Sequence, residues 1–167
     1  MKILLALASF KDYLNSIDAN LHLKKKFTQL GVEEKLIKIF PMADGGEYTG
    51  EVLNFYLKKK KFKIATLDIF NKKIFTNVYL INKQKVFVSS SEILGLRNYQ
   101  RKKLNPLNFS SYGLGMVVKK LSKNYKEIII GLGGTQTLDV GAGALQALGA
   151  IFLDKNNNKI KNVIPKN

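Results

Sequence analysis

Two carboxylates, Asp44 and Glu47, flank a Gly-Gly pair in the run Pro41-Met42-Ala43-Asp44-Gly45-Gly46-Glu47. Acidic side chains on a pliable backbone suit an oxygen-seeking cation such as Mg²⁺, which commonly takes one or two carboxylates together with substrate phosphates; a carboxylate can also deprotonate a hydroxyl. The same pair has the spacing of a capping box, in which both residues would merely start a helix. A second run, Gly131-Leu132-Gly133-Gly134-Thr135-Gln136-Thr137-Leu138-Asp139-Val140-Gly141-Ala142-Gly143, offers backbone N–H groups and the hydroxyls of Thr135 and Thr137 to a phosphate. It fits neither Gly-x-Gly-x-x-Gly nor the phosphate-loop consensus with its Lys-Ser/Thr. Its glycines would equally serve a helix lying close on a sheet, since both uses need the missing Cβ. Lys11, in Ser9-Phe10-Lys11, stands where it could neutralise a carboxylate or phosphate, or simply be solvated. His22 reads as a surface or half-buried helical residue.

These residues must be carried by particular elements. Residues 2–8 form a continuous apolar run, the mark of a parallel strand covered on both faces. Ile17, Leu21, Leu23, Phe27 and Leu30 recur at helical spacing behind Asn15, a suitable N-cap, with Gly31 closing the segment. Residues 34–40 read as a second strand, so the chain opens β-α-β, with ligands expected near the carboxyl ends of the strands. Asp44 and Glu47 fall in the turn after that strand. Tyr48, Val52, Phe55 and Tyr56 then mark a helix running into the lysines at 58–61, a solvated helix end.

From 62 to 90 the pattern turns to short β-rich segments, Phe62–Phe70, Ile74–Ile81 and Val86–Val88, separated by polar turns and expected to be antiparallel. Leu114, Val117, Val118 and Leu121 mark a helix behind Ser110 and Ser111. Glu127–Leu132 is a further buried strand leading into the glycine-rich run, a small-residue helix to Gly149, and a short strand at Ala150–Leu153. The fold class expected is α/β: a Rossmann-like parallel sheet with helices (1–61 and 110–155), interrupted by an antiparallel β-rich element (62–109), with a polar tail (156–167) that closes nothing.

The 167 residues contain no cysteine and one histidine, which excludes disulfide frameworks, thiolate metal sites and multi-histidine zinc sites. A reducing cytoplasm is the expected compartment. No apolar run reaches the roughly 18 residues of a membrane span, and the apolar start is too short for a secretory leader. The charge, 28 basic against 12 acidic residues, raises nucleic acid as a partner. Only Arg97 and Arg101 are arginines, however, the side chain favoured for bidentate phosphate recognition, so nucleic-acid binding is not expected.

Taken together, Ser9-Phe10-Lys11, the Pro41–Glu47 run with Thr49, Tyr112-Gly113-x-Gly115 and the 131–150 segment ending Gln146-Ala147-Leu148-Gly149-Ala150 resemble, in order and spacing, the N-terminal half of a bacterial glycerate kinase. The resemblance implies transfer of the ATP γ-phosphoryl group to a glycerate hydroxyl, with Mg²⁺. Under it, Gly133, Gly134, Thr135 and Thr137 would cradle phosphate, Lys11 would neutralise charge, Asp44 and Glu47 would hold Mg²⁺, and Asp139 would be the base. The chain departs from the family pattern at several motif positions. Leu7 and Ala8 stand where the family has Pro-Asp, Ser89-Ser90-Ser91-Glu92 where a Glu-Met-Ala run is usual, Tyr48 for Gly, Leu138 for Asn and Val140 for Gly. A second Thr-Gly-Glu-Gly segment, carried by the family's other half, is absent. The expectation is a chain that is impaired or inactive by itself; the alternatives are a non-catalytic remnant, half of a split enzyme completed by a companion chain that supplies the missing half, and a basic polyanion-binding module.

Overall fold

The computed structural model describes residues 1–10, 13–95 and 105–164; Lys11, Arg97 and Arg101 lie outside them. The fold is mixed α/β, with parallel and antiparallel pairing. β1 (Ile3–Leu5) and β2 (Ile37–Ile39) pair in parallel, Leu4 beside Lys38, and are joined by α1 (Ser16–Gln29), which gives the expected β-α-β opening. Both strands are shorter than the apolar pattern suggested, and a 3₁₀ turn at Glu34–Leu36 occupies the start of the second segment.

Asn15 caps α1 as expected: its Oδ1 accepts from Asp18 N at 2.9 Å. The face that α1 buries is different from the one expected. Ser16, Ala19 and Asn20 face inward, whereas Leu21 and Leu30 are exposed. The reason is polar. Ser16 Oγ donates to Leu7 O at 2.6 Å and accepts from Met42 N at 2.8 Å, while Asn20 both accepts from Leu7 N and donates to Leu7 O. Backbone groups at the strand ends must find partners when buried, and the first two turns of α1 supply them. His22 is exposed on this helix.

After α2 (Thr49–Leu57), β3 (Lys61–Leu67), β4 (Lys73–Leu80) and β5 (Lys85–Ser89) form the expected antiparallel meander. The β3–β4 turn begins earlier than its lysines suggested, because Asp68 Oδ1 accepts from both Phe70 N and Lys72 N at 2.8 Å. β5 then pairs in parallel with β6 (Glu127–Gly131), giving one four-stranded sheet in the order β3-β4-β5-β6. A Lys85–Glu127 ion pair at 2.7 Å joins residues in register at its start.

Between β5 and β6 run the single turn α3 (Ser91–Leu94) and α4 (Tyr112–Leu121), whose expected apolar face is buried at Leu114, Val117 and Leu121. With Val78, Val86, Val88, Ile93 and Phe109 these make the main apolar core. α5 (Ala142–Leu148) packs across α4. The strand expected at Ala150–Leu153 is only an isolated bridge between Leu153 and Lys159. The tail, expected to close nothing, is tied back as far as it is described: Gln146 donates to Ile160 O and accepts from Val163 N, and Ser110 Oγ donates to Val163 O. One half-buried glutamine satisfies two backbone groups of an irregular segment, a contact that hydrophobic patterning does not reveal.

Candidate functional site

Three segments that are far apart in sequence meet at the carboxyl ends of β2, β5 and β6: the 41–47 loop, Ser89–Ser91, and the start of the glycine-rich run. A Cβ placed on Gly131 would stand 2.6 Å from Gly45 O, and one on Gly133 would stand 2.6 Å from Gly46 Cα. Backbone lies against backbone there, so these glycines serve close approach. Ser89 Oγ donates to Gly46 O at 3.3 Å and shares a 2.7 Å hydrogen bond with Ser91 Oγ, while Ser90 Oγ donates to Gly131 O at 2.8 Å. The serines that replace a carboxylate-bearing run are therefore buried clamps between the two loops.

Further along, the glycine-rich run opens to solvent. Gly134, with φ +60°, is exposed, as is Thr135, and Thr137 is half-buried. Gln136 N donates to Leu94 O at 3.0 Å and pins the middle of the run to α3. Glu47 lies beside it: a Cβ on Gly134 would stand 3.6 Å from Glu47 Cγ and 3.9 Å from its Oε1. Asp44 is exposed on the same loop, and its Oδ1 accepts from Gly46 N at 2.9 Å.

The capping-box alternative for Asp44 and Glu47 is not realised. α2 begins after Tyr48, whose left-handed backbone (φ 61°) turns the chain into the helix with no side-chain cap. Asp44 instead closes its own two-residue turn, and Thr49 Oγ1 takes the N–H of Gly45 at 3.1 Å. Neither carboxylate is thus spent on the helix: Glu47 lies against the glycine-rich run, and Asp44 is exposed on the adjoining turn.

Asp139 is placed differently from the base expected of it. It is 4% exposed; its Oδ2 accepts from Ser111 N (2.7 Å), Ser111 Oγ (2.8 Å) and Gly143 N (3.1 Å), and its Oδ1 accepts from Gly141 N (3.3 Å). Ser111 Oγ in turn accepts from Ala144 N at 2.9 Å. The amino end of α5 is therefore already filled by this protein's own carboxylate and hydroxyl, which stand where a phosphate at a helix N-terminus would. What the run still offers a ligand is the segment 133–137. The signal for this in the sequence was Ser110-Ser111 ahead of a helix: the Ser111 hydroxyl donates to Asp139, while that of Ser110 donates to Val163 O and accepts from Tyr112 N at the start of α4.

Glu92 faces β4, where its Oε2 accepts from Asn77 N at 2.9 Å and Asn77 Nδ2 at 3.0 Å. Tyr79 is buried against Gly50, and its hydroxyl donates to Glu92 Oε1 at 3.5 Å. Burial, with Glu51 and Glu92 close by, pushes the Tyr79 phenol well above its ordinary range.

Residues 3–166 match the glycerate kinase family. The chain belongs to that family. It is 30% identical to the glycerate kinase of Neisseria meningitidis serogroup B over 161 residues, 96% of this chain and 43% of the relative. It is likewise 30% identical to the glycerate 2-kinase of Escherichia coli K12 over 162 residues, 96% of this chain and 42% of the relative. The crystal structure of a protein provisionally named glycerate kinase 2, from Salmonella typhimurium LT2, superposes with a TM-score of 0.73 at 26% identity, covering 98% of this chain and 44% of that one. The chain thus spans less than half the length of the family relatives it matches. Among the described residues no helix is long and apolar enough to cross a membrane.

Donor chemistry decides which cofactors these residues fit. Among the described residues no group of three or more His, Cys, Asp or Glu side chains could hold a metal. Two carboxylates on one loop, one of them beside the exposed Gly134, fit Mg²⁺ only as an ion that keeps waters and takes the rest of its shell from phosphate.

Proposed function

We propose that this chain forms the strand-end half of a glycerate kinase-like site, in which a cytoplasmic enzyme transfers the γ-phosphoryl group of ATP to a glycerate hydroxyl. Family membership supports the reaction class. The observation that carries the residue assignment is the approach of Glu47 to Gly134, which brings a carboxylate loop and a glycine-threonine segment to one place.

Phosphoryl transfer depends mainly on positioning and charge stabilisation. The N–H groups of Gly133 and Gly134 and the hydroxyls of Thr135 and Thr137 face the phosphate. Asp44 and Glu47 hold Mg²⁺, which when bound neutralises the charge that develops on the phosphoryl oxygens. Lys11, directly after the Ser9-Phe10 segment, adds a positive charge toward substrate or phosphate. Asp139 is a positioning residue: it fixes Ser111 and the amino end of α5, and so the far end of the glycine-rich run, and leaves the glycerate proton to another group. Ser89, Ser90 and Ser91 fix the near end.

The remaining contacts come from the part of the family's length that residues 1–167 do not match, whether in the same chain or a companion. The test is ATP-dependent phosphorylation of D-glycerate by residues 1–167, alone and with that part of the E. coli relative supplied. Removing one charge-stabilising group typically lowers turnover by about 10²–10³, so the chain alone is expected to be essentially silent and supplementation to restore turnover. Ordinary kinase turnover, about 1–100 per second, by the chain alone would overturn the need for the rest. No turnover in a folded, supplemented protein that still binds Mg·ATP would favour the remnant.

A further inference from the structure

Among the described residues the β1–β2 sheet has one face on α1, while the other is open except where the Phe40 ring meets Tyr56 of α2, 5.3 Å between centroids. Leu5 and Ile37 are buried toward the helix, whereas Lys2, Leu4, Ala6, Lys38, Phe40 and Met42 are exposed on the opposite side. Leu4 is 63% exposed and Phe40 46%, and with Ile3 and the two lysines they line an open groove of about 470 Å³. A two-stranded parallel sheet is an incomplete object: parallel sheets occur almost only with both faces covered, usually by helices, and seldom with so few strands. The continuous apolar run at residues 2–8 calls for cover on both faces, and the chain as described supplies it on one.

We propose that this face is the seat of an apolar layer carried by the length that the family relatives have beyond their match to this chain, and that carboxylates on that layer meet Lys2 and Lys38. The proposal rests on the reading of residues 1–167 as part of a longer kinase. Three observations choose this occupant over a small ligand or a second copy. The match leaves more than half of each relative unaccounted for, enough chain to complete the sheet. The lysines flanking the apolar centre belong to a chain of net charge +16, which disfavours pairing this surface with itself and favours an acidic counterpart. The strands under this face run directly into Ser9-Phe10 and into the 41–47 loop, so a layer seated here places its own loops at the same strand ends as Asp44 and Glu47. Completing the sheet and completing the site are then one event.

The chain has no cysteine, so Leu4→Cys puts a single reporter thiol on this face. Its maleimide labelling is followed by peptide-resolved mass spectrometry, against an unstructured peptide thiol, in residues 1–167 and in a chimera where this chain replaces the matched part of the E. coli relative. Near-peptide labelling is expected in the chain alone and protection of about tenfold or more in the chimera. The intact E. coli relative, with its residue aligned to Leu4 changed to Cys, gives the same reading in a protein that needs no refolding, and protection is expected there too. Free labelling in the folded chimera or in the relative overturns the proposal, as does protection in the chain alone that grows with its concentration, the sign of a second copy. Glycerate phosphorylation measured in the same chimera separates the two readings: a protected but inactive chimera sinks the catalytic reading alone, and an active but unprotected one sinks this proposal alone.

Discussion

The opening unit, β1-α1-β2-α2, and the unit built on β3 to β6 solve the same problem with very different success. The second encloses a core of its own, with Val78, Val86, Val88, Ile93, Phe109 and Val117 almost fully buried between sheet and helices. Among its described residues the first buries little more apolar surface than Leu5, Ala19, Ile37, Pro41 and Val52, and it shows Leu4, Leu21, Leu30 and Phe40 to solvent. Polar groups hold it instead, Ser16 and Asn20 tying the strand ends to α1. The candidate site lies on the seam, taking Asp44 and Glu47 from the first unit and Ser89–Ser91 and the glycine-rich run from the second. A site so divided is only as well ordered as its less supported side, which gives a physical reason why residues 1–167 alone should turn over poorly.

The largest expected effect falls in the self-contained unit. Phe109, 2% exposed and edge-on to Phe70 at 5.0 Å between ring centroids, anchors the 105–111 segment to the core. Phe109→Ala should lower global stability by about 3–5 kcal/mol, the usual penalty for a large core truncation. Leu5→Ala, in the opening unit, should fall at or below the lower end of the aliphatic range, about 2 kcal/mol. Urea unfolding of both variants checks the contrast, and equal losses would show that the opening unit is as well packed as the rest.

Next comes the clamp. Asp139→Ala leaves Ser111 N and Gly143 N buried without their acceptor, and an orphaned buried donor costs about 1–3 kcal/mol. We expect about 2–3 kcal/mol in urea unfolding, with hydrogen exchange accelerated first at 111–115 and 141–145. A variant that unfolds normally yet abolishes phosphoryl transfer in the supplemented enzyme, with unchanged exchange, would return Asp139 to the role of base.

Much of this arrangement was legible before any coordinates. The β-α-β opening, Asn15 as cap, the antiparallel meander and the apolar stripe of α4 followed from local spacing, and spacing is a local property. Which strand β5 pairs with across the 37 residues between Ser89 and Glu127 is a tertiary choice that periodicity does not encode. The same holds for the site. Gly45, Gly46 and the 131–134 run were singled out by composition, but their glycines meet one another, and no spacing rule reports contact between two loops. Asp139 stood out as an acid inside a glycine-rich run. Its donors, Ser111 and Gly143, come from two helices, and only their convergence shows that its oxygens are occupied. Ser16 and Asn20 went unnoticed because buried polar residues in a helix carry no periodic signal.

Tyr79 is one of the places where the two units touch, its ring against Gly50 of α2 and its hydroxyl on Glu92. Its native pKa is raised, by burial first and then by Glu51 and Glu92, so the phenol's contribution is fully present below the unfolded value, about 10, and is lost as pH rises above it. Over that range unfolding releases one extra proton, and stability falls by about 1.4 kcal/mol per pH unit more steeply than in Tyr79→Phe. Unfolding curves at pH 9 to 11 for both proteins measure the difference; parallel slopes would mean that the seam is open enough for the phenol to ionise in place.

The smallest effect on stability, and the one most informative about the site, belongs to Asp44→Asn. In the folded chain Asp44 Oδ1 accepts the N–H of Gly46, and an asparagine oxygen closes the same turn. The residue is exposed, caps no helix, and its replacement should shift stability by about 0.5 kcal/mol or less. Its charge is another matter. A carboxylate that holds Mg²⁺ beside phosphate cannot be replaced by a neutral amide without weakening the metal, so titration of Mg·ATP into the supplemented enzyme should show loosened binding while titration of metal-free ATP does not. Glu47→Gln, beside Gly134 in the same geometry, should behave alike, since the two carboxylates act on one ion. If both variants bind Mg·ATP as tightly as the parent and melt at the same temperature, the approach of the two loops is a packing contact and the cation belongs to other residues of the family's length.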